Sequence, residues 1–189
     1  MLAYSSIGQV GYMLLGIALM SENGLIATMI HLFNHGITKA ALFMGVGVYV
    51  LNGNGSFYHN LRGRGKTMPW TSAAMVVAGL SLIGVPGTAG FLSKWLLVEA
   101  TLGQGMWPIA LLIVASSLLA VIYVWKFIET LYFVRPTEGL QDQTVPVMMM
   151  IPLWIMALAC IYFGFDTNIT LSAARSAAEG LWAGSAGMR

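Results

Sequence analysis

Five apolar stretches, each about as long as a bilayer-spanning helix or longer, constrain this chain more than any other feature. A spanning helix needs about 20 mostly apolar residues. The stretches lie at about 2–20, 25–51, 70–102, 107–133 and 146–164. Only 8% of the 189 residues are charged, so polar side chains are too few to cover a water-facing surface. We therefore predict an all-α integral membrane protein with about five spanning helices.

Charge and composition also predict the organisation of the bundle. We expect it to occupy 1–165, and 166–189 to form an interfacial helix or a disordered tail, because small, polar and apolar residues alternate there. The basic residues in 62–66 and Arg135 lie in two loops on the same side of the predicted bundle. Cytoplasmic loops carry an excess of Lys and Arg, so the N-terminus is predicted to be cytoplasmic. The first helix begins without a leading loop, and we expect a fragment or one half of a larger transporter.

Three titratable side chains recur in the second stretch, within the motif HLFNHGITKAALF. His31, His35 and Lys39 are four residues apart, so on a helix they form one stripe. A lipid-facing lysine near mid-bilayer costs about 2.5–3.5 kcal/mol, so the stripe should face the bundle interior or a hydrated cavity. Histidine exchanges protons near neutral pH. We interpret the stripe as a proton path.

Other interpretations of this stripe remain open. His31 lies near the start of the predicted helix, where an interfacial histidine bonded to a carbonyl is an alternative. A zinc site would need a third protein ligand, and this stretch has no carboxylate or thiol within reach. We therefore predict no metal. Cys160 is the only cysteine, which excludes an internal disulfide and a thiolate cluster.

The third stretch is interrupted by the motif GVPGTAG. Pro86 removes a backbone donor, and Gly84, Gly87 and Gly90 loosen the helix around it. A break inside a bilayer is tolerated only where protein or water satisfies the freed backbone groups. Lys94 follows the break, and many transporters build ion sites where a broken helix carries a charge. The alternative is a harmless kink, with Lys94 snorkelling to the surface.

Further polar residues in the predicted helices are candidates for supporting the path. They are Ser5, Ser6, Gln9, Glu99, Lys126 and Glu129. Hydroxyl and amide groups on the first helix are also typical of a helix-packing surface. Lys126 and Glu129, three residues apart, are also typical of a structural ion pair.

The motifs LAYSSIGQVGYMLLGI, HLFNHGITKAALF and GVPGTAGFLSKW occur here in an order known from one family. From residue 2 to about 133 the chain resembles the antiporter-like membrane subunits of respiratory complex I and of Mrp-type multisubunit cation/proton antiporters, and most of all the Mrp D-type subunit. That family has a core of fourteen helices with two inverted repeats, each containing one broken helix. The resemblance implies that this chain corresponds to the later part of the second repeat plus the following helix.

The resemblance also implies roles for individual residues. His31, His35 and Lys39 match the histidine–lysine row of the family's central hydrophilic axis. Lys94 matches the charged residue of the second broken helix, which the family uses at the exit-side half-channel. The first repeat, with its glutamate–lysine pair, is absent from this sequence, so we do not expect activity from the chain alone.

Two functions follow from the resemblance. The first is proton transport or monovalent cation/proton antiport in a bacterial plasma (inner) membrane, with H⁺, alone or exchanged for Na⁺, as the ion. Its partners would be the lipid bilayer and other membrane subunits. The alternative is a proton-pumping subunit of a NADH:quinone oxidoreductase.

The sequence has no Cys cluster and no G-x-G-x-x-G motif opening a βαβ unit, so we predict no cofactor and no redox site in either case. A net charge of +2 does not indicate nucleic acid binding.

Overall fold

The computed structural model describes residues 2–51, 61–135 and 145–186, and within these ranges the chain is helical and contains no strand. This confirms the all-α prediction. The segment NGNG at 52–55, which follows the second predicted helix, and the last three residues of the predicted tail lie outside the described residues. The helices of the described parts are α1 (Leu2–Ala18), α2 (Glu22–Tyr49), α3 (Arg64–Thr67), α4 (Pro69–Ile83), α5 (Ala89–Gly103), α6 (Trp107–Tyr132), α7 (Val147–Phe165) and α8 (Asn168–Ala186).

Helix α2 is the centre of the bundle and packs against α1, α4, α5, α7 and α8. It begins at Glu22, earlier than the predicted start at about residue 25, because Ser21 forms an N-cap. The Ser21 side chain accepts a hydrogen bond from the Gly24 amide at 3.2 Å, which satisfies one of the free donors of the first turn. The segment SENG at 21–24, between the first two predicted helices, therefore holds the N-cap and most of the first turn of α2.

The third predicted helix is divided into α4 and α5. Gly84 ends α4 with φ +89°, and Gly87 has φ +86°, a conformation that glycine adopts at little cost. The break therefore covers 84–88 and not 84–90. Gly90 lies in the first turn of α5, where a Cβ would overlap the Ser81 carbonyl oxygen of α4. The missing side chain lets the two half-helices touch.

Two helices of the described residues are long and apolar enough to cross a membrane, namely α6 and α7. Helices α1 and α4 are apolar but have only 17 and 15 residues. Helix α2 has 28 residues and carries the polar row. The count of five spans therefore stays a prediction.

Large apolar side chains cover the outside of α6, including Leu111, Leu118 and Ile122, each more than 60% exposed. A water-soluble monomer rarely exposes a continuous apolar surface of this kind.

After α7, residues 168–186 form helix α8, whose Ala174 and Ala178 are buried against α2. The predicted interfacial segment is thus helical over most of its length.

Candidate functional site

Lys94 spans the break between the two half-helices. Its amine donates hydrogen bonds to the carbonyl oxygens of Leu82 at 3.0 Å and Ile83 at 2.7 Å, in the last turn of α4. Carbonyls at a helix end lack partners within the helix and carry the negative end of its dipole. The side chain is only 6% exposed. Lys94 therefore points into the protein and does not snorkel to the surface.

The two histidines of α2 lie beside this lysine. His31 is buried, and its Nδ1 is hydrogen-bonded to the Ser93 hydroxyl of α5 at 2.9 Å. The rings of His31 and His35 are parallel, with centroids 6.3 Å apart. Tyr12 of α1 packs its ring 5.4 Å from that of His31 and 5.4 Å from the Lys94 amine. The hydrogen-bond partner of His31 is a hydroxyl inside the bundle, not a carbonyl at the interface.

A small polar cavity joins these residues. Its water-accessible space is about 10 Å³, which suffices for about one water molecule. The residues that line it are Gln9, His31, Asn34, His35, Thr38, Ser81, Leu82, Gly90, Ser93 and Lys94. Nε2 of His31, Nδ1 of His35 and Oδ1 of Asn34 are buried and have no hydrogen-bond partner in the described parts of the chain. Three of the residues that line the cavity therefore carry a buried polar atom with free hydrogen-bonding capacity.

Lys39 lies at the other end of the row and does not line this cavity. Its amine donates to the backbone carbonyl of Leu2 and to the Ser5 hydroxyl, and it lies 5.8 Å from the Phe43 ring centre. Ser5 is therefore a direct hydrogen-bond partner of Lys39. The Ser6 hydroxyl bonds to Leu2 within its own helix, at 3.4 Å.

The other candidates are not brought to the cavity. Glu99, Lys126 and Glu129 are exposed. Glu99 lines a separate cleft of about 110 Å³ that also contains Arg175. Within the described ranges, no group of three or more His, Cys, Asp or Glu side chains is arranged to hold a metal ion. The chemistry available at the cavity is therefore that of amines, imidazoles, hydroxyls and amides.

Sequence reasoning missed four polar residues that surround the break. Asn34, Thr38, Ser81 and Ser93 are not among the site residues predicted from the sequence. Asn34 Nδ2 donates to the Ala89 carbonyl at 2.6 Å, and the hydroxyls of Thr38 and Ser81 are 3.0 Å apart. The signal available in the sequence was the spacing of Asn34 and Thr38, which are four residues apart on a face next to the histidines.

A helical bundle with an apolar exterior, a buried polar row and a helix interrupted close to a buried lysine defines the class, an integral membrane protein with a polar site inside its bundle. The family model described as NADH:quinone oxidoreductase/Mrp antiporter, TM matches residues 1–123. The chain belongs to this family.

Relatives and solved structures agree with this assignment. The chain is 33% identical to NADH-quinone oxidoreductase subunit N of Desulforudis audaxviator over 91% of this chain and 37% of the relative. It is 35% identical to F(420)H(2) dehydrogenase subunit L of Methanosarcina mazei, over 88% and 27%. The chain thus spans only 37% and 27% of the length of these two relatives.

Two solved assemblies contain a similar fold. One is the archaeal membrane-bound sulfane sulfur reductase, a respiratory membrane complex, with a TM-score of 0.83 and 31% identity over 95% of this chain and 36% of that chain. The other is the Mrp complex from Dietzia sp., with a TM-score of 0.85 over 96% of this chain and 42% of that chain. At 24% identity, the second likeness concerns the fold alone.

Proposed function

We propose that this chain forms part of a membrane subunit that translocates protons, alone or in exchange for a monovalent cation such as Na⁺. The observation that carries the proposal is the Lys94 amine, which is bonded to the carbonyls of a broken helix and shares a one-water cavity with His31 and His35. A buried amine with neutral acceptors can bind a proton and release it. A structural lysine would normally be paired with a carboxylate.

The proposed path has three parts. At one end, the carbonyls of α4 stabilise the ammonium form of Lys94. The cavity then places His31 and His35 within reach of this amine through one water molecule. The row continues along α2 to Lys39, with a rise of about 6 Å between successive members four residues apart, and ends at the Ser5 hydroxyl. A proton that arrives at one of these groups repels the charge on its neighbours, so protonation of one end favours release from the other.

Ion flux in proteoliposomes that contain the assembled complex tests this function. We expect a pH gradient to drive proton movement when Na⁺ is present. The rate of this movement should fall when choline replaces Na⁺. Movement driven only by NADH and quinone would favour the alternative, a proton-pumping subunit of a NADH:quinone oxidoreductase. Proton permeability equal to that of protein-free liposomes under all these conditions would contradict both functions.

The comparisons support both functions, because the relatives include respiratory dehydrogenase subunits and the matching family model is described as NADH:quinone oxidoreductase/Mrp antiporter, TM. Our preference for an Mrp-type antiporter, and for its D-type subunit, rests on the sequence resemblance. Copurification decides between the assemblies. Small membrane subunits alone would favour the antiporter, and subunits that hold iron–sulfur clusters would favour the oxidoreductase.

Our proposal places the chain in a bacterial inner membrane, with its N-terminus and the basic residues of 62–66 on the cytoplasmic side. Lys66 and Gly103 are exposed at opposite ends of the broken helix pair. We expect a membrane-impermeant maleimide to label Gly103→Cys in intact cells, and to label Lys66→Cys only after permeabilisation. Native Cys160 is buried and should stay unlabelled. The reverse pattern would invert the proposed orientation.

A further inference from the structure

Helix α2 is hydrogen-bonded to both halves of the broken helix. Towards α4, the Thr38 hydroxyl lies 3.0 Å from the Ser81 hydroxyl. Towards α5, the Asn34 amide donates to the carbonyl of Ala89, the first residue of that helix, at 2.6 Å. Asn34 and Thr38 are both 2% exposed. One helix face therefore holds both sides of the break.

The two halves are also joined directly to each other. The Ser81 hydroxyl of α4 accepts a hydrogen bond from the Gly90 amide of α5 at 3.3 Å. That amide is in the first turn of α5, where backbone donors have no partner within the helix. Ser81 thus contacts Thr38 and Gly90 at once, so a chain of hydrogen bonds runs from α2 through α4 to α5.

The geometry of Lys94 depends on this arrangement. Lys94 is four residues after Gly90 in α5, whereas its acceptors Leu82 and Ile83 immediately follow Ser81 in α4. The bond of Ser81 to Gly90 and the bonds of Lys94 to the α4 carbonyls therefore both join the two half-helices, at adjacent residues of α4 and at positions about one turn apart in α5. A shift of α5 against α4 would separate the amine from its carbonyl acceptors.

From these contacts we infer that Asn34, Thr38 and Ser81 are positioning residues for Lys94. They fix the two half-helices in one register and so keep the amine at the end of α4, next to the cavity. The inference deepens the proposed function and rests on it, because it assigns these three residues an effect on ion translocation that acts through Lys94. None of them needs to carry a proton itself.

Matched substitutions in the assembled complex test this role. Thr38→Val keeps the shape of the side chain and removes its hydroxyl, while Thr38→Ser keeps the hydroxyl. We expect Thr38→Val and Asn34→Leu each to lower ion flux about tenfold or more, since a misplacement of about 1 Å at a reacting group has effects of that size. Thr38→Ser should retain most of the wild-type flux.

Thr101→Val is the matched control. Like Thr38, Thr101 is buried; it lies in α5, the helix that carries Lys94, and its hydroxyl bonds to the Val98 carbonyl of that same helix. We expect wild-type flux from it. Equal flux in Thr38→Val, Asn34→Leu and Thr101→Val would overturn the inference. So would a Thr38→Ser variant as impaired as Thr38→Val, because the hydroxyl would then not matter.

Two further measurements separate this inference from its alternatives. The amount of assembled complex in the membrane should be the same for all four variants, and a parallel loss of assembly and flux would show a merely structural role. Lys94→Ala is measured in the same series. Wild-type flux in Lys94→Ala would contradict the proposed function itself, whereas loss of flux there with normal flux in Thr38→Val and Asn34→Leu would contradict only the positioning role.

Discussion

Lys94→Ala should abolish ion translocation in the assembled complex, by about 10²-fold or more, which is the range typical of a lost acid–base group. The substitution removes the one amine that bonds to the end of α4, and alanine can neither bind nor release a proton. Assembly should be retained, because the two half-helices stay joined through Ser81 and Gly90. Dye-monitored proton flux in proteoliposomes measures the effect.

Two controls sharpen this prediction. Lys126→Ala removes an exposed lysine from α6 and should leave flux unchanged. Lys94→Arg keeps the positive charge, but a guanidinium does not release its proton in proteins, so this variant should assemble and yet translocate poorly. Flux near the wild-type level in Lys94→Ala, or in Lys94→Arg, would argue against proton exchange at this position.

Gly90→Ala should have the second large effect, on folding. A Cβ at this position would overlap the backbone carbonyl oxygen of Ser81, and a backbone atom cannot rotate away as a flexible side chain can. The half-helices must then separate, at a cost of about 1–3 kcal/mol or more. We expect a lower melting temperature and a lower yield of monodisperse protein in detergent.

Gly36→Ala is the matched control for this effect. Gly36 lies inside α2, and a Cβ there would meet no atom within 4 Å. Alanine in a helix interior is favoured over glycine by about 0.5–1 kcal/mol, so the melting temperature should stay equal or rise. If Gly90→Ala were as stable as Gly36→Ala, the close contact between α4 and α5 would not be a feature of the folded protein.

The position of the polar row could be predicted from the sequence, but its division into two groups could not. A spacing of four residues places His31, His35 and Lys39 on one stripe, which rotates by about 40° with each step. Over eight residues this rotation is enough for His31 to face α5 while Lys39 faces α1. Which neighbour each residue meets depends on where the other helices pack, and periodicity within α2 holds no such information.

The break shows the same limit. The cluster of glycines around Pro86 predicted that the helix is interrupted, because these residues have distinctive backbone preferences. The roles of Ser81 and Gly90 were missed, since a hydrogen bond across the break depends on how the half-helices meet. Gly90 was therefore assigned to the interruption, although it lies within α5.

Because the partners of Lys94 are main-chain oxygens, the acceptors of its hydrogen bonds do not depend on side-chain chemistry. Positions 82 and 83 can exchange one aliphatic residue for another and still present the same two acceptors. An acidic residue introduced there would instead hold the ammonium in a permanent ion pair. Neutral carbonyl acceptors stabilise the ammonium form of Lys94 less than a carboxylate would, which is what the proposed release of a proton at this position requires.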